Sequence, residues 1–287
     1  MTKMIDLHLH TNVSDGTDTP VELLENVKKA GIELFAITDH DDVKGNLMVS
    51  RVLTDFDPKF IPGAEFSCKD SEGKYHILGY GFDPNDAAIQ NVVQTGHDYR
   101  MKKVHARLDF LKSEFGFEFP QEELDKLLAM DNPGKPHIGN LMVKYGFADN
   151  KEKAIRDYID KIHFKSEYIT PEFAINGILK SGGTPILAHP SYGSGDQLII
   201  GDEMDERVRR LLEYGLAGLE AFYSGFSAKL RNEVLSLADK YDLYVTAGSD
   251  YHGKNKMVIL GDTGLSDTSI LPKGMVKFLK NMKVYED

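Results

Sequence analysis

Short β-type runs and helical stretches alternate along this chain, and that alternation alone excludes most architectures. The runs are Met4–His8, Leu34–Thr38, Phe60–Ser67, Tyr75–Gly81, Thr184–Leu187, Leu216–Phe222 and Tyr244–Gly248. Between most of them lie segments with helical spacing. Thr19-Pro20-Val21-Glu22 is a helix start, with Thr19 as N-cap, Pro20 in the first turn and Glu22 reaching back. Leu23, Leu24, Val27 and Ala30 keep helical spacing until Gly31 stops it. A second start, Thr170-Pro171, leads to a helix that ends at Gly182-Gly183 before the next run. Strands alternating with helices imply a parallel sheet covered by helices, and seven strands suggest a barrel.

One stretch departs from the alternation. From about Asp98 to Tyr168 only helical patterns occur, with Met101, Val104, Leu108 and Leu111 on one apolar face. Gln121–Met130, Pro136–Tyr145 and Asn150–Ile162 read as further short helices. The expected organisation is therefore a barrel in two parts, 1–97 and 169–287, interrupted by a helical insertion over 98–168.

The residues that can bind metal fall at the ends of these runs. His8 and His10 straddle the end of the first, and Asp15 follows in the next loop. His40 closes the second in Thr38-Asp39-His40-Asp41, and Glu65 lies near the end of the third. His189 follows the fifth in Ala188-His189-Pro190, and Asp250 and His252 follow the seventh. In α/β barrels the loops after the strands converge on one face, where active sites lie. His76 does not fit this pattern, because it stands at the start of the fourth run; either that strand begins earlier or it is tilted.

Taken singly, each feature has a bland reading. Alternate histidines on a strand merely share a face, Asp39-His40-Asp41 serves as a turn or cap, and His189 as a satisfied strand-end residue. Their joint placement is what points to a site. Imidazole and carboxylate without thiolate suit Zn, Mn or Fe. Nine such side chains exceed the needs of one tetrahedral ion, so two or three ions are expected, with Glu65 suited to bridging a pair. Glu220 and Tyr223, at the end of the sixth run, face the site as groups that support its ligands. His97, His105 and His163 have no such context and read as surface or packing residues. Lys135-Pro136-His137 opens a helix in the insertion, where free N–H groups and a cationic side chain suit a substrate phosphate or carboxylate, the bland reading being a solvated loop.

Composition sets the remaining limits. A formal charge of −11 argues against a surface that coats nucleic acid. It leaves an anionic substrate open, since bound cations reverse the local field. No apolar run approaches a membrane span, and one cysteine, Cys68, gives no disulfide framework, which suits a cytoplasmic setting. No P-loop, GxSxG elbow or dinucleotide fingerprint is found.

His8-Leu9-His10-Thr11 with Asp15-Gly16, Thr38-Asp39-His40-Asp41, Gly63-Ala64-Glu65, Ala188-His189-Pro190 and Ser249-Asp250-Tyr251-His252 resemble the successive motifs of the PHP (polymerase and histidinol phosphatase) family. Lys74-Tyr75-His76-Ile77-Leu78-Gly79-Tyr80 followed by a helical insertion is similar to its TrpH/YciV-like subgroup. The resemblance implies a distorted seven-stranded, TIM-like barrel with the insertion over the site, and two or three divalent ions, Mn foremost and Zn or Fe otherwise. It implies one ion held by His8, His10, Glu65 and Asp250, a second by Glu65, His76 and His189, and a third by Asp15, His40 and His252. The subgroup carries an arginine where this chain has Lys135, a point charge in place of a bidentate fork.

The implied activity is hydrolysis of a phosphomonoester on a small nucleotide such as a nucleoside 3′,5′-bisphosphate, by attack of a metal-bound hydroxide. In that reading His8, His10, Glu65, Asp250 and His252 are catalytic, and Lys135 and His137 hold the substrate. The alternatives are a 5′-to-3′ exonuclease on short oligonucleotides and a non-catalytic, metal-stabilised regulatory module. The complete ligand set speaks against the last.

Overall fold

The structure is a computed structural model that describes residues 4–130, 132–163, 167–192, 197–265 and 270–284 of the chain. Its centre is a sheet of seven strands hydrogen-bonded in chain order. They are β1 (Met4–Leu9), β2 (Ile32–Ile37), β3 (Lys59–Lys69), β4 (Lys74–Tyr80), β5 (Thr184–Leu187), β6 (Gly218–Tyr223) and β7 (Tyr244–Gly248). The sheet curls until β1 meets the residues just after β7. There Leu9 bridges Tyr251, the Asp250 N–H donates to the His8 carbonyl at 2.9 Å, and the His10 N–H donates to the Tyr251 carbonyl at 2.9 Å. The result is a nearly closed α/β barrel of the kind the alternation implies.

The sheet is not wholly parallel, and here the expectation is corrected. β4 runs antiparallel to both β3 and β5, while the other neighbours pair in parallel. Chain length is the cause. A parallel pair needs a crossover of about a dozen residues, and only 70–73 separate β3 from β4. That link is a tight turn in which Asp70 Oδ1 accepts from the Glu72 and Gly73 N–H groups at 2.9 and 3.1 Å.

Local chemistry explains the helices that cover the strands. In Pro20–Lys29 the Glu22 N–H donates to Thr19 Oγ1 at 3.2 Å, and the Thr19 N–H donates to Glu22 Oε2 at 2.8 Å, closing a capping box. Leu23, Leu24 and Val27 from this helix pack with Leu9, Ile32, Phe35, Ile37 and Val49 in one buried cluster. β5 and β6 are buried along their whole length, as strands covered on both faces must be.

Two compact units divide the chain, Met1–Val93 with Ile169–Asp287, and Gln94–Tyr168. The helix Ala87–Phe115 runs from the first into the second. The second unit also holds Gln121–Leu128, Lys135–Lys144 and Lys151–Lys153, the last continuing into a π turn (Ala154–Tyr158) and a 3₁₀ turn (Ile159–Lys161). Val104 and Leu111 of the apolar stripe are fully buried beside Leu127, Ile138, Met142, Ala154 and Ile159.

Where β2 stops pairing with β3, a side chain takes over. Asn46 is buried in the helix Lys44–Ser50; its Nδ2 donates to the Gly63 carbonyl at 2.7 Å, and its Oδ1 accepts from the Gly63 N–H at 2.9 Å. Asn46→Ala strands both main-chain groups without water. The expected loss is about 3 kcal/mol of unfolding free energy by chemical denaturation, whereas Asn46→Asp restores only the acceptor.

Candidate metal centre

All nine sequence-predicted ligands sit in the first unit and meet at one end of the barrel. His8 lies within β1 and His10 one step past it, so the two-residue strand period gives both the same face. His40 follows β2 and bridges Glu65, which lies inside β3 rather than near its end. His76 had no place in an all-parallel sheet. Because β4 is reversed, its first residues lie at the end where the other strands finish, and the His76 carbonyl accepts from the Ala188 N–H at 3.0 Å just before His189. Asp250 and His252 follow β7. His189 and Asp250 hold φ of 28° and 60°, a left-handed region that non-glycine residues occupy at a cost of about 1–3 kcal/mol when the surroundings enforce it.

Glu65 is the hub. Its Oε2 lies 3.2 Å from His8 Nε2, 3.3 Å from His10 Nε2 and 3.1 Å from His40 Nδ1. Its Oε1 lies 2.8 Å from His76 Nδ1 and 3.2 Å from His189 Nε2. Asp250 Oδ1 stands 3.4 Å from both His10 Nε2 and His252 Nδ1, and Asp15 Oδ1 is 3.2 Å from His252 Nε2. Three overlapping sets place their donor atoms close enough to share an ion: His8, His10 and Glu65; His40, Glu65 and His76; and His10, Asp15, His40 and His252. His8 Nε2, His10 Nε2, Asp15 Oδ1 and Glu65 Oε2 are buried, and none makes a hydrogen bond. Buried lone pairs that converge without hydrogen bonds are what a cation site requires. The donor set therefore fits divalent metal.

Other buried groups hold these donors in place. Glu220, fully buried in β6, puts Oε1 2.9 Å from His8 Nδ1 and accepts the His189 N–H on Oε2 at 2.8 Å. A proton on His8 Nδ1 leaves the Nε2 lone pair facing Glu65. His252 Nδ1 is likewise 2.9 Å from the Asp250 carbonyl, which turns Nε2 toward Asp15. Asp39 accepts from the Thr11 N–H, Thr11 Oγ1 and Ser14 Oγ, each at 2.7 Å, and so fixes the loop that carries Asp15. Asp6 accepts from the Ser249 and Gly261 N–H groups at 2.9 and 2.8 Å, tying β1 to the Asp250 segment. Gly248 makes room behind the site, since a Cβ there would stand 2.2 Å from the His8 Cβ.

Charge explains the protonation states. Burial works against a proton on His8, but Glu220, Glu65 and Asp250 outweigh it and raise its pKa well above the usual value. Burial opposes protonation of His10 too, yet the carboxylates of Asp250, Glu65 and Asp15 close beside it lift its pKa to about 9. His40 goes the other way, to about 4, because burial dominates. Burial would raise Glu65, but His76, His40 and His8 hold its carboxyl well below the normal range.

Lys135 and His137 lie in the second unit. Lys135 Nζ pairs with Asp160, and His137 Nδ1 accepts from the Gly134 N–H at 3.1 Å. Sequence reasoning missed Asp6 and Lys256. Lys256 Nζ reaches Asp250 Oδ2 and also lies 3.3 Å from the Tyr223 hydroxyl, which donates to the same carboxylate oxygen at 2.8 Å. The cationic residue four positions after His252 was the only signal for it.

Two outcomes are expected. The raised folded value of His10 adds stability that is full below its unfolded value of about 6.5 and fades as pH climbs through about 9. Metal-free protein should therefore lose thermal stability across that interval, while added Mn or Zn releases protons and stabilises more strongly as pH rises. Glu220→Gln should weaken metal affinity about 10–100-fold in a titration monitored by elemental analysis, and unchanged affinity would deny Glu220 its orienting role.

The chain resembles several known proteins over most of its length. It is 28% identical over 256 residues to the phosphoribosyl 1,2-cyclic phosphate 1,2-diphosphodiesterase of Eggerthella lenta, covering 87% of this chain and 94% of that one. It is 26% identical to the 3′,5′-nucleoside bisphosphate phosphatase of Chromobacterium violaceum, over 93% of this chain and 92% of that protein. It is also 26% identical to a 5′-3′ exoribonuclease of Haemophilus influenzae, over 95% and 98%. Among solved structures, a Bifidobacterium adolescentis protein assigned to the metal-dependent phosphoesterases superposes with a TM-score of 0.81 at 26% identity, covering 97% of this chain and 96% of that one. The PHP domain pattern matches residues 6–169, more than half the sequence, and the chain belongs to the PHP domain family.

Proposed function

We propose that this protein is a metal-dependent phosphoesterase that releases phosphate from a phosphomonoester of a small nucleotide, a nucleoside 3′,5′-bisphosphate being the first candidate. The observation that carries the proposal is the convergence of buried, non-hydrogen-bonded imidazole and carboxylate atoms around Glu65. His8, His10, Glu65 and Asp250 would hold one ion, Glu65, His76 and His189 a second, and Asp15, His40 and His252 a third. Divalent ions in such a site, Mn foremost, supply a water nucleophile at neutral pH and offset charge on the phosphoryl oxygens.

The chain's own groups do the rest. Glu65 divides its two oxygens between two sets of histidines, which suits a carboxylate that bridges. Glu220 and the Asp250 carbonyl fix the tautomers of His8 and His252, so the reactive nitrogens face the cluster. His8, His10 and Glu65 are almost wholly buried, which keeps bulk water from these donors. Lys135 and His137, at the start of a helix in the insertion, are proposed to take a second phosphate, with Lys135 exchanging Asp160 for it.

Exonucleolytic cleavage of short oligonucleotides is the second reading, favoured by equal identity to the Haemophilus influenzae exoribonuclease. Mn-loaded protein should release inorganic phosphate from a 3′,5′-bisphosphate, and His8→Ala or Asp250→Ala should reduce release to background. Mononucleotides from a short RNA would mark the second reading. No turnover of any phosphoester with Mn, Zn or Fe would overturn both.

A further inference from the structure

Most of the cluster's charge is negative. Glu65, Glu220 and Asp250 are buried and Asp15 is partly so, whereas a phosphoester brings its own negative oxygens. A cation that reaches the cluster from the barrel itself is therefore informative, and Lys256 is one. Its ammonium contacts Asp250 Oδ2, the oxygen turned away from His10 and His252, whose neighbour is Oδ1. The Tyr223 hydroxyl lies 3.3 Å from the same nitrogen.

The backbone is set for this position. Lys256 follows the short turn Gly253–Asn255, whose members grip the loop bearing Asp15. The Lys254 N–H donates to Thr17 Oγ1 at 3.0 Å, and Asn255 Nδ2 donates to the Asp15 carbonyl at 2.8 Å. The Lys256 side chain keeps 37% of its surface in solvent, so its ammonium is free to leave Asp250 Oδ2 for another anionic oxygen. The Tyr223 hydroxyl already donates to Asp250 Oδ2 at 2.8 Å, so that oxygen keeps a partner when the ammonium leaves.

We propose that Lys256 is a phosphate-binding residue of the barrel, swinging from Asp250 Oδ2 to a phosphoryl oxygen of a substrate held at the centre. The proposal rests on the phosphoesterase reading above. A compact ammonium on a flexible stem suits the exchange, since it can trade one oxygen for another while Tyr223 keeps its bond to Asp250.

The test uses full-length, metal-loaded protein with inorganic phosphate as the probe. Calorimetric phosphate binding and phosphoester kinetics are compared for the unmodified chain, Lys256→Met and Lys256→Arg, with metal content measured on each. The expected result is unchanged metal content in Lys256→Met, phosphate affinity weaker by about tenfold or more, and KM raised by a similar factor. Lys256→Arg should recover part of the affinity. Phosphate binding by Lys256→Met equal to that of the unmodified chain would overturn the proposal alone. Metal content falling in step with phosphate affinity would also overturn it, by reducing Lys256 to a support for Asp250. If the unmodified chain neither binds phosphate nor hydrolyses any ester, the phosphoesterase reading fails as well.

Discussion

The Glu65 carboxylate is almost completely buried and stands within 3.3 Å of five imidazole nitrogens, drawn from β1, the end of β2, β4 and the residue pair after β5. A carboxylate removed from water in this way is costly unless opposite charge meets it. Here the counter-charge is either protons on His8, His10 and His76, all of which have raised pKa values, or divalent cations. Both cannot occupy the same nitrogens. Metal and proton are thus competing solutions to one electrostatic problem, and the barrel is built so that the problem exists. Strand order, the reversed β4 and the left-handed turn at His189 all serve to bring those rings to one carboxylate.

Much of this was legible in the chain. Strand count and the helical insertion followed from periodicity, and the nine candidate ligands from their positions at run ends. His76 is the exception, because alternation implies one common strand direction and β4 runs against it. The four residues 70–73 held the answer, being too few for a crossover. Glu220 was visible as a nearby carboxylate, but its division between His8 and the His189 main chain depends on β5 and β6 being neighbours.

Asp6, Asn46 and Lys256 were not legible, for a common reason. Each acts on partners distant in sequence or on an orientation fixed only by folding: Asp6 on Ser249 and Gly261, Asn46 on Gly63, Lys256 on Tyr223 and one oxygen of Asp250. No local pattern marks an aspartate or asparagine for such work, since the same residues are ordinary in turns and caps. The insertion shows a related limit. Its apolar stripe foretold its core, but the π turn at Ala154–Tyr158 interrupts what reads as one regular helix over Asn150–Ile162.

Glu220 carries one more implication. Side chains in β6 alternate between the two faces only up to the irregularity between Glu220 and Phe222, so a single-residue slip of the strand ahead of it would send the Glu220 carboxylate to the side facing the helices. His8 would lose the group that fixes its tautomer, and the strained His189 turn would lose its main-chain acceptor in the same event. Alignment of the barrel and competence of the centre are therefore one property. Additions or deletions of length are tolerable in surface connections but not within β6, where a shift too small to unfold the sheet would still silence the chemistry.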